Sequence, residues 1–146
     1  MIKSLSYIGE FLPILLLFFY IKTKDCFFLK IFIYNLFVIT TVVFLKKGFP
    51  LVFGEKDMFK RPKGACNCSL FGGGEQGDFA FPSGHTASIT FICFALYTHS
   101  KRVEWLYLIP IVAFSRLYSK CHSLPQVIAG LVYGYGVFYI AIKKIL

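Results

Sequence analysis

Apolar positions along the chain form long unbroken runs, and short clusters of charge separate them. A helix that crosses hydrocarbon needs about 20 apolar residues, within a range near 17–25. The first run extends from Leu5 to Ile21 and is broken only by Glu10; Lys3 precedes it and Lys22-Thr23-Lys24-Asp25 closes it. No small-residue cleavage site follows, which favours a retained helix over a signal peptide. The second run covers Cys26 to Leu45, with Lys30 placed near its start to snorkel. Two cations and two breakers, Lys46-Lys47-Gly48-Phe49-Pro50, predict its end. The third run, Ser83 to about Thr98, is short for a span, so its Ser83 end is expected to be sunk in protein. The fourth covers Val103 to Ser115, with a kink expected at Pro110, and the fifth covers Leu124 to Ile142 ahead of Lys143-Lys144. The pattern predicts an all-α integral membrane bundle of about five transmembrane helices, organised as one domain over residues 1–146.

Composition agrees. Hydrophobic residues make up 57% of the chain and charged residues 16%, against roughly 25% charged in soluble domains. A soluble globular enzyme and a disordered chain are both disfavoured. The net charge of +9 would suit nucleic acid, but the cations sit between apolar runs and not in one stripe. That sorting matches membrane flanks, so no nucleic-acid partner is expected. Five spans put two polar segments, Lys46 to Pro82 and Arg116 to Ser123, on one side of the membrane. Lys22, Lys24, Lys101, Arg102, Lys143 and Lys144 fall on short connections at the other side. Counting cations on short loops places those six in the cytoplasm and the polar segments outside or in a lumen.

The segment from Gly48 to Pro82 is long for a plain connection and holds eight charges beyond its opening, together with Gly72-Gly73-Gly74. Cys66, Cys68 and Cys121 lie on the same side, and a disulfide among them is an option if that side is oxidising. Cys66 and Cys68 form a lone C-x-C, too few ligands for structural zinc. Asn67-Cys68-Ser69 fits the glycosylation triplet, a weak pattern. Gly130 and Gly134 form G-x-x-x-G, which suits close helix packing. Glu10 has no evident role beyond a place at the membrane interface.

Three stretches on the polar side gather the rare polar residues: Lys60-Arg61-Pro62, Pro82-Ser83-Gly84-His85, and Ser115-Arg116 with His122. Two of the three arginines and two of the three histidines fall within them. Guanidinium groups give forked, charge-assisted hydrogen bonds to tetrahedral oxyanions, so Arg61 and Arg116 could clamp one phosphate. Ser83 as a helix N-cap would leave N–H groups at the Gly84 turn facing an anion. Two histidines then supply a nucleophile and a general acid, a scheme that calls for no metal and no cofactor.

These residues resemble the type 2 phosphatidic acid phosphatase and haloperoxidase superfamily, in its membrane lipid phosphatase branch. Its pattern is Lys, six residues, Arg-Pro; then Pro-Ser-Gly-His; then Ser-Arg, five residues, His, three residues, Asp. Pro82 to His85 match the second motif in full, and Ser115, Arg116 and His122 match the third in spacing. There are two departures. Gly54 stands where the first motif's lysine would fall; Lys46, which closes the second helix, is preferred over Lys47, Lys56 and Lys60. Gln126 stands in place of the final Asp, as in branches resembling dolichyl diphosphatase and glucose-6-phosphatase.

The resemblance implies that His122 attacks phosphorus, that His85 protonates the leaving oxygen and then activates water, and that Gln126 orients His122. Arg61, Arg116, Ser83, Gly84 and Lys46 would hold the phosphoryl oxygens. The implied activity is hydrolysis of a phosphate monoester or diphosphate, of a lipid such as phosphatidate or an isoprenoid diphosphate. The alternative is a membrane scaffold or interaction protein that keeps the motifs but has weakened turnover, because Gln126 carries no charge and the lysine is displaced. The family usually has six spans, so a second copy of the chain is a candidate to complete the bundle.

Overall fold

The computed structural model describes residues 5, 7–69 and 74–145; Lys3 and the Gly72-Gly73 part of the glycine run lie outside them. The described residues form five α-helices: α1 (Ile8–Thr23), α2 (Cys26–Phe53), α3 (Gly84–Ser100), α4 (Leu108–Tyr118) and α5 (Leu124–Ile145). Short 3₁₀ turns occupy Asp57–Phe59 and Val103–Tyr107. An all-α bundle is the architecture that the apolar runs predict. By length and composition, α2 and α5 are apolar enough to cross a membrane.

Helix α3 is the axis of the bundle and packs against all four others. Ala87, Ile89, Phe91, Ile92, Cys93 and Ala95 are all fully buried, so this helix has no solvent stripe. A helix that is apolar on every side belongs inside. Around it the outer helices turn large apolar side chains outward, Val132 and Ile140 of α5 and Phe37 and Phe44 of α2 among them. Polar contacts join helices within the apolar interior: the Ser88 hydroxyl donates to Asn35 Oδ1 at 2.7 Å, and Thr41 pairs with the Tyr133 hydroxyl. With no water to compete, such bonds hold helices in register.

Three boundaries differ from the sequence expectation. Helix α2 does not stop at Lys46-Lys47-Gly48-Phe49-Pro50; it continues to Phe53 and ends at Gly54, whose φ is +78°. Packing offsets the donor lost at Pro50. Phe49 packs against Phe53, Phe59 and Phe81, so the extra turn has an aromatic cluster to lean on. Pro110 does not kink the fourth helix, because that helix starts at Leu108 after the 3₁₀ turn and Pro110 lies in its first turn. A proline there costs no intrahelical bond. Arg116 belongs to the last turn of α4, not to the connection that follows.

Glycines set the distance between α3 and α5. A Cβ on Gly134 would sit 2.2 Å from the Ala87 carbonyl oxygen, and one on Gly130 would sit 2.5 Å from the Ser83 carbonyl oxygen. The G-x-x-x-G pair therefore lets α5 ride on the backbone of α3. Gly136 has nothing within 4 Å of its Cβ position. Gly134→Ala should destabilise the bundle by about 1–3 kcal/mol, the usual cost of overpacking, whereas Gly136→Ala should be neutral or mildly stabilising. Thermal unfolding of both variants in detergent tests this. Equal midpoints would mean that the glycine seam does not set the packing.

Candidate active site

The site lies at one end of the bundle, where the first turns of α3 and α5, the last turn of α4, a late turn of α2 and residues 54–69 and 74–83 meet. Ser83 is fully buried and precedes α3 in extended conformation. Its N–H donates to the Gln126 carbonyl at 2.9 Å, which joins the starts of α3 and α5. Ser83 holds the N-cap position that the sequence predicts, while its hydroxyl pairs with the Thr86 hydroxyl at 2.9 Å and makes no cap bond. A Cβ at position 84 would lie in ordinary contact with Val42, 3.4 Å away, and 4.0 Å from Lys46 Nζ, which places Lys46 beside this turn.

His122 is held by the turn that leaves α4. The N–H groups of Cys121 and His122 both donate to the Arg116 carbonyl, at 3.1 and 3.3 Å. Its Nδ1 meets Gln126 Oε1 at 3.1 Å, and its Nε2 lies 3.5 Å from Arg61 Nη1. The Gln126 amide has one allowed orientation. Its Nε2 donates to the Met58 and Lys60 carbonyls at 2.8 and 2.9 Å, while Oε1 also accepts from the Ser123 N–H at 3.2 Å. A flipped amide would set oxygen against two carbonyls. Oε1 therefore faces His122, and Nδ1 must carry the proton. Nε2 keeps its lone pair, turned toward a guanidinium that can only donate.

Both arginines are braced by the two half-cystines of the Cys68–Cys121 disulfide. Arg61 Nη1 donates to the Cys121 carbonyl and Arg116 Nη2 to the Cys68 carbonyl, each at 2.7 Å. Arg116 is nearly fully buried. The Nε atoms of Arg61 and Arg116 are buried and have no partner among the described residues. Further donors on both groups are thus available to an anion. Backbone pairing orients the Arg61 segment: its N–H donates to the Asp78 carbonyl at 2.8 Å, and the Ala80 N–H to the Phe59 carbonyl at 2.7 Å.

Among the lysine candidates, Lys46 faces the site and lies in Coulombic range of Arg61 and Arg116. Lys47 and Lys56 are exposed, and Lys60 is engaged with Glu55 at 3.0 Å. The longer α2 accounts for the displaced lysine: Lys46 comes from the helix and Arg61 from the loop, with about two turns of helix after Lys46 between them. Burial, first, and then Arg61, Arg116, Lys46 and His85 hold the His122 imidazole well below the usual histidine range. Burial also lowers Arg61, while Asp78 and Glu75 favour its charge. Lys46, Arg61, Ser83, Gly84, His85, Arg116, His122 and Gln126 are all gathered here.

One site residue escaped the sequence reading. Glu10 Oε1 lies 2.7 Å from His85 Nε2, with both side chains largely buried. Glu10 thus has a partner within the protein. The signal was present: a carboxylate alone in an apolar run is costly unless it serves a site. Gly9 lies beside the same ring: a Cβ on it would meet the His85 side chain at 3.4 Å, an ordinary contact. Gln126→Glu should cost about 1–3 kcal/mol, because it sets an oxygen against the Met58 and Lys60 carbonyls. Unfolding midpoints at neutral pH check this, and an equal or higher midpoint for the variant would refute the amide assignment.

No curated protein and no solved structure matches the chain. The family model described as the PAP2 superfamily matches residues 27–145, nearly the whole chain. That span takes in every residue of the site described here except Gly9 and Glu10, and on this match the chain belongs to the PAP2 superfamily.

Proposed function

We propose that the protein is a multi-pass membrane phosphatase that hydrolyses a phosphate monoester or diphosphate, on a lipid, through a phosphohistidine. The observation that carries this reading is the state of His122: an imidazole with its proton fixed on Nδ1 and its Nε2 lone pair aimed at Arg61. That nitrogen is the nucleophile. Arg61, Arg116, Lys46 and the N–H groups at the start of α3 take the phosphoryl oxygens, where developing charge is stabilised without reorganisation. His122 Nε2 forms a bond to phosphorus as the bond to the leaving oxygen breaks, and His85 gives that oxygen a proton. Water then attacks phosphorus, His85 takes the water proton, and the P–N bond breaks to release phosphate. Each role has a protein group, so turnover is expected to persist in chelator.

The lipid part of the proposal is supported by shape. A cavity of about 430 Å³ begins at Lys46, Gly84 and His85 and runs between α1 and α2 past Ile14, Leu36 and Ile39. A phosphate head at the polar end would leave an acyl or isoprenoid chain along the apolar wall. The outward apolar side chains of α2 and α5 support a membrane setting. Positive-inside counting supports a lumenal or external site.

Purified protein should release phosphate from phosphatidate or an isoprenoid diphosphate with chelator present, and His122→Ala should lower the rate at least about 10³-fold. Unchanged release in that variant would remove the nucleophile, and no release from the wild type would favour the scaffold reading. Because the His122 pKa lies well below 6.5, the nucleophile stays neutral as pH falls through that value. The acid limb of kcat/KM, which reports the free enzyme, should therefore lie below pH 6.5; a limb at or above it would contradict the assignment. A C-terminal tag should be protected from external protease in intact cells, and its cleavage would reverse the proposed orientation.

A further inference from the structure

We infer that Glu10 of α1 is a positioning residue for the proton-transfer step, holding His85 as the charged acid that the departing oxygen requires. The inference rests on the phosphatase reading. Its basis is the 2.7 Å contact between Glu10 Oε1 and His85 Nε2 and the company of charges around that ring. Lys46 of α2 and Arg116 of α4 face His85, and the His122 ring lies within Coulombic range from the turn after α4. Two cations and one carboxylate therefore face the same largely buried ring. The carboxylate from α1 opposes the cations, at hydrogen-bond distance and in surroundings where its charge is poorly screened.

The two histidines thus have partners of opposite kind. His122 leans on a neutral amide whose oxygen fixes the tautomer but offers no full charge. His85 leans on a carboxylate. Environments that drive two titratable groups apart assign the acid and the base. With Nε2–H held by Glu10, Nδ1 is the nitrogen that serves the reaction. In the first step the Nδ1 proton passes to the leaving oxygen as its bond to phosphorus breaks, leaving a neutral ring with its proton on Nε2. In the second step Nδ1 takes a proton from the attacking water, which restores the imidazolium and its pair with Glu10. Glu10 neither gains nor loses a proton. Glu10 also lies outside the residues matched by the family model.

The test is the leaving-group dependence of Glu10→Gln and Glu10→Asp. A lipid phosphate or simple alkyl phosphate leaves as a basic alkoxide and needs the acid; p-nitrophenyl phosphate leaves as a stable phenolate and does not. Glu10→Gln is expected to lose about 10–100-fold in kcat on the alkyl substrate, within the usual range for general acid catalysis. The first-turnover burst of p-nitrophenolate, which precedes the water step, should lose less than about 3-fold, with KM little changed on the alkyl substrate. The alkaline limb of its kcat profile on the alkyl substrate should move to lower pH, and Glu10→Asp should recover part of the rate. Equal losses in alkyl turnover and in the burst, with an unmoved pH profile, would overturn the assignment, since that is the signature of a merely structural contact. A retained p-nitrophenolate burst shows that the variant is folded. Absence of phosphate release by the wild type would overturn the phosphatase reading, and this inference with it.

Discussion

The orientation of one side-chain amide governs the site. Gln126 emerges from the first turn of α5 and bonds in two directions: its N–H groups hold the Met58 and Lys60 carbonyls, and its oxygen faces His122. The first pair anchors the segment that delivers Arg61. The second contact sets which ring nitrogen of His122 carries the proton. A carboxylate could do the second but would repel both carbonyls of the first. The glutamine where the family pattern has aspartate is thus built into the loop's anchorage, and reading it as a weakened aspartate overlooks the two bonds that only an amide can donate.

Charge around the site follows the same economy. Three cations, Lys46, Arg61 and Arg116, converge from α2, the long loop and α4. Such a cluster is unfavourable in the absence of an anion, and the fold restrains it. The Cys68–Cys121 disulfide presents its two backbone carbonyls to the two guanidinium groups, and its covalent link joins the long loop to the turn that carries His122. Below the site, α3 is buried on every side and α5 lies close against it through Gly130 and Gly134. Ser83, His85 and Gln126 all sit at the start of one or other of these helices, so the tightest packing in the molecule supports the groups that need the most exact placement.

Much of this was legible in the sequence because the relevant signals are local. Apolar runs gave the five helices, and rare polar residues at fixed spacings picked out Arg61, Ser83, His85, Arg116, His122 and Gln126, which the fold brings to one end. What was not legible depends on tertiary packing. Helix α2 passes Gly48 and Pro50 because Phe49 has aromatic neighbours from distant segments. The first-motif lysine could not be chosen by counting, since the helix and the loop divide the interval between Lys46 and Arg61. Pro110 looked like a kink because the start of α4 is set by a 3₁₀ turn. Glu10 stood alone in its apolar run, and its pairing with His85 depends on how α1 packs against α3.

Nitrogen NMR tests the central claim most directly. With only His85, His99 and His122 in the chain, protein carrying ¹⁵N-labelled histidine in detergent gives few enough ring signals for assignment by single substitutions. The account expects His122 at neutral pH to show a protonated Nδ1 and a bare Nε2, with the two shifts far apart. A His122 ring protonated on Nε2, or carrying protons on both nitrogens at that pH, would contradict it.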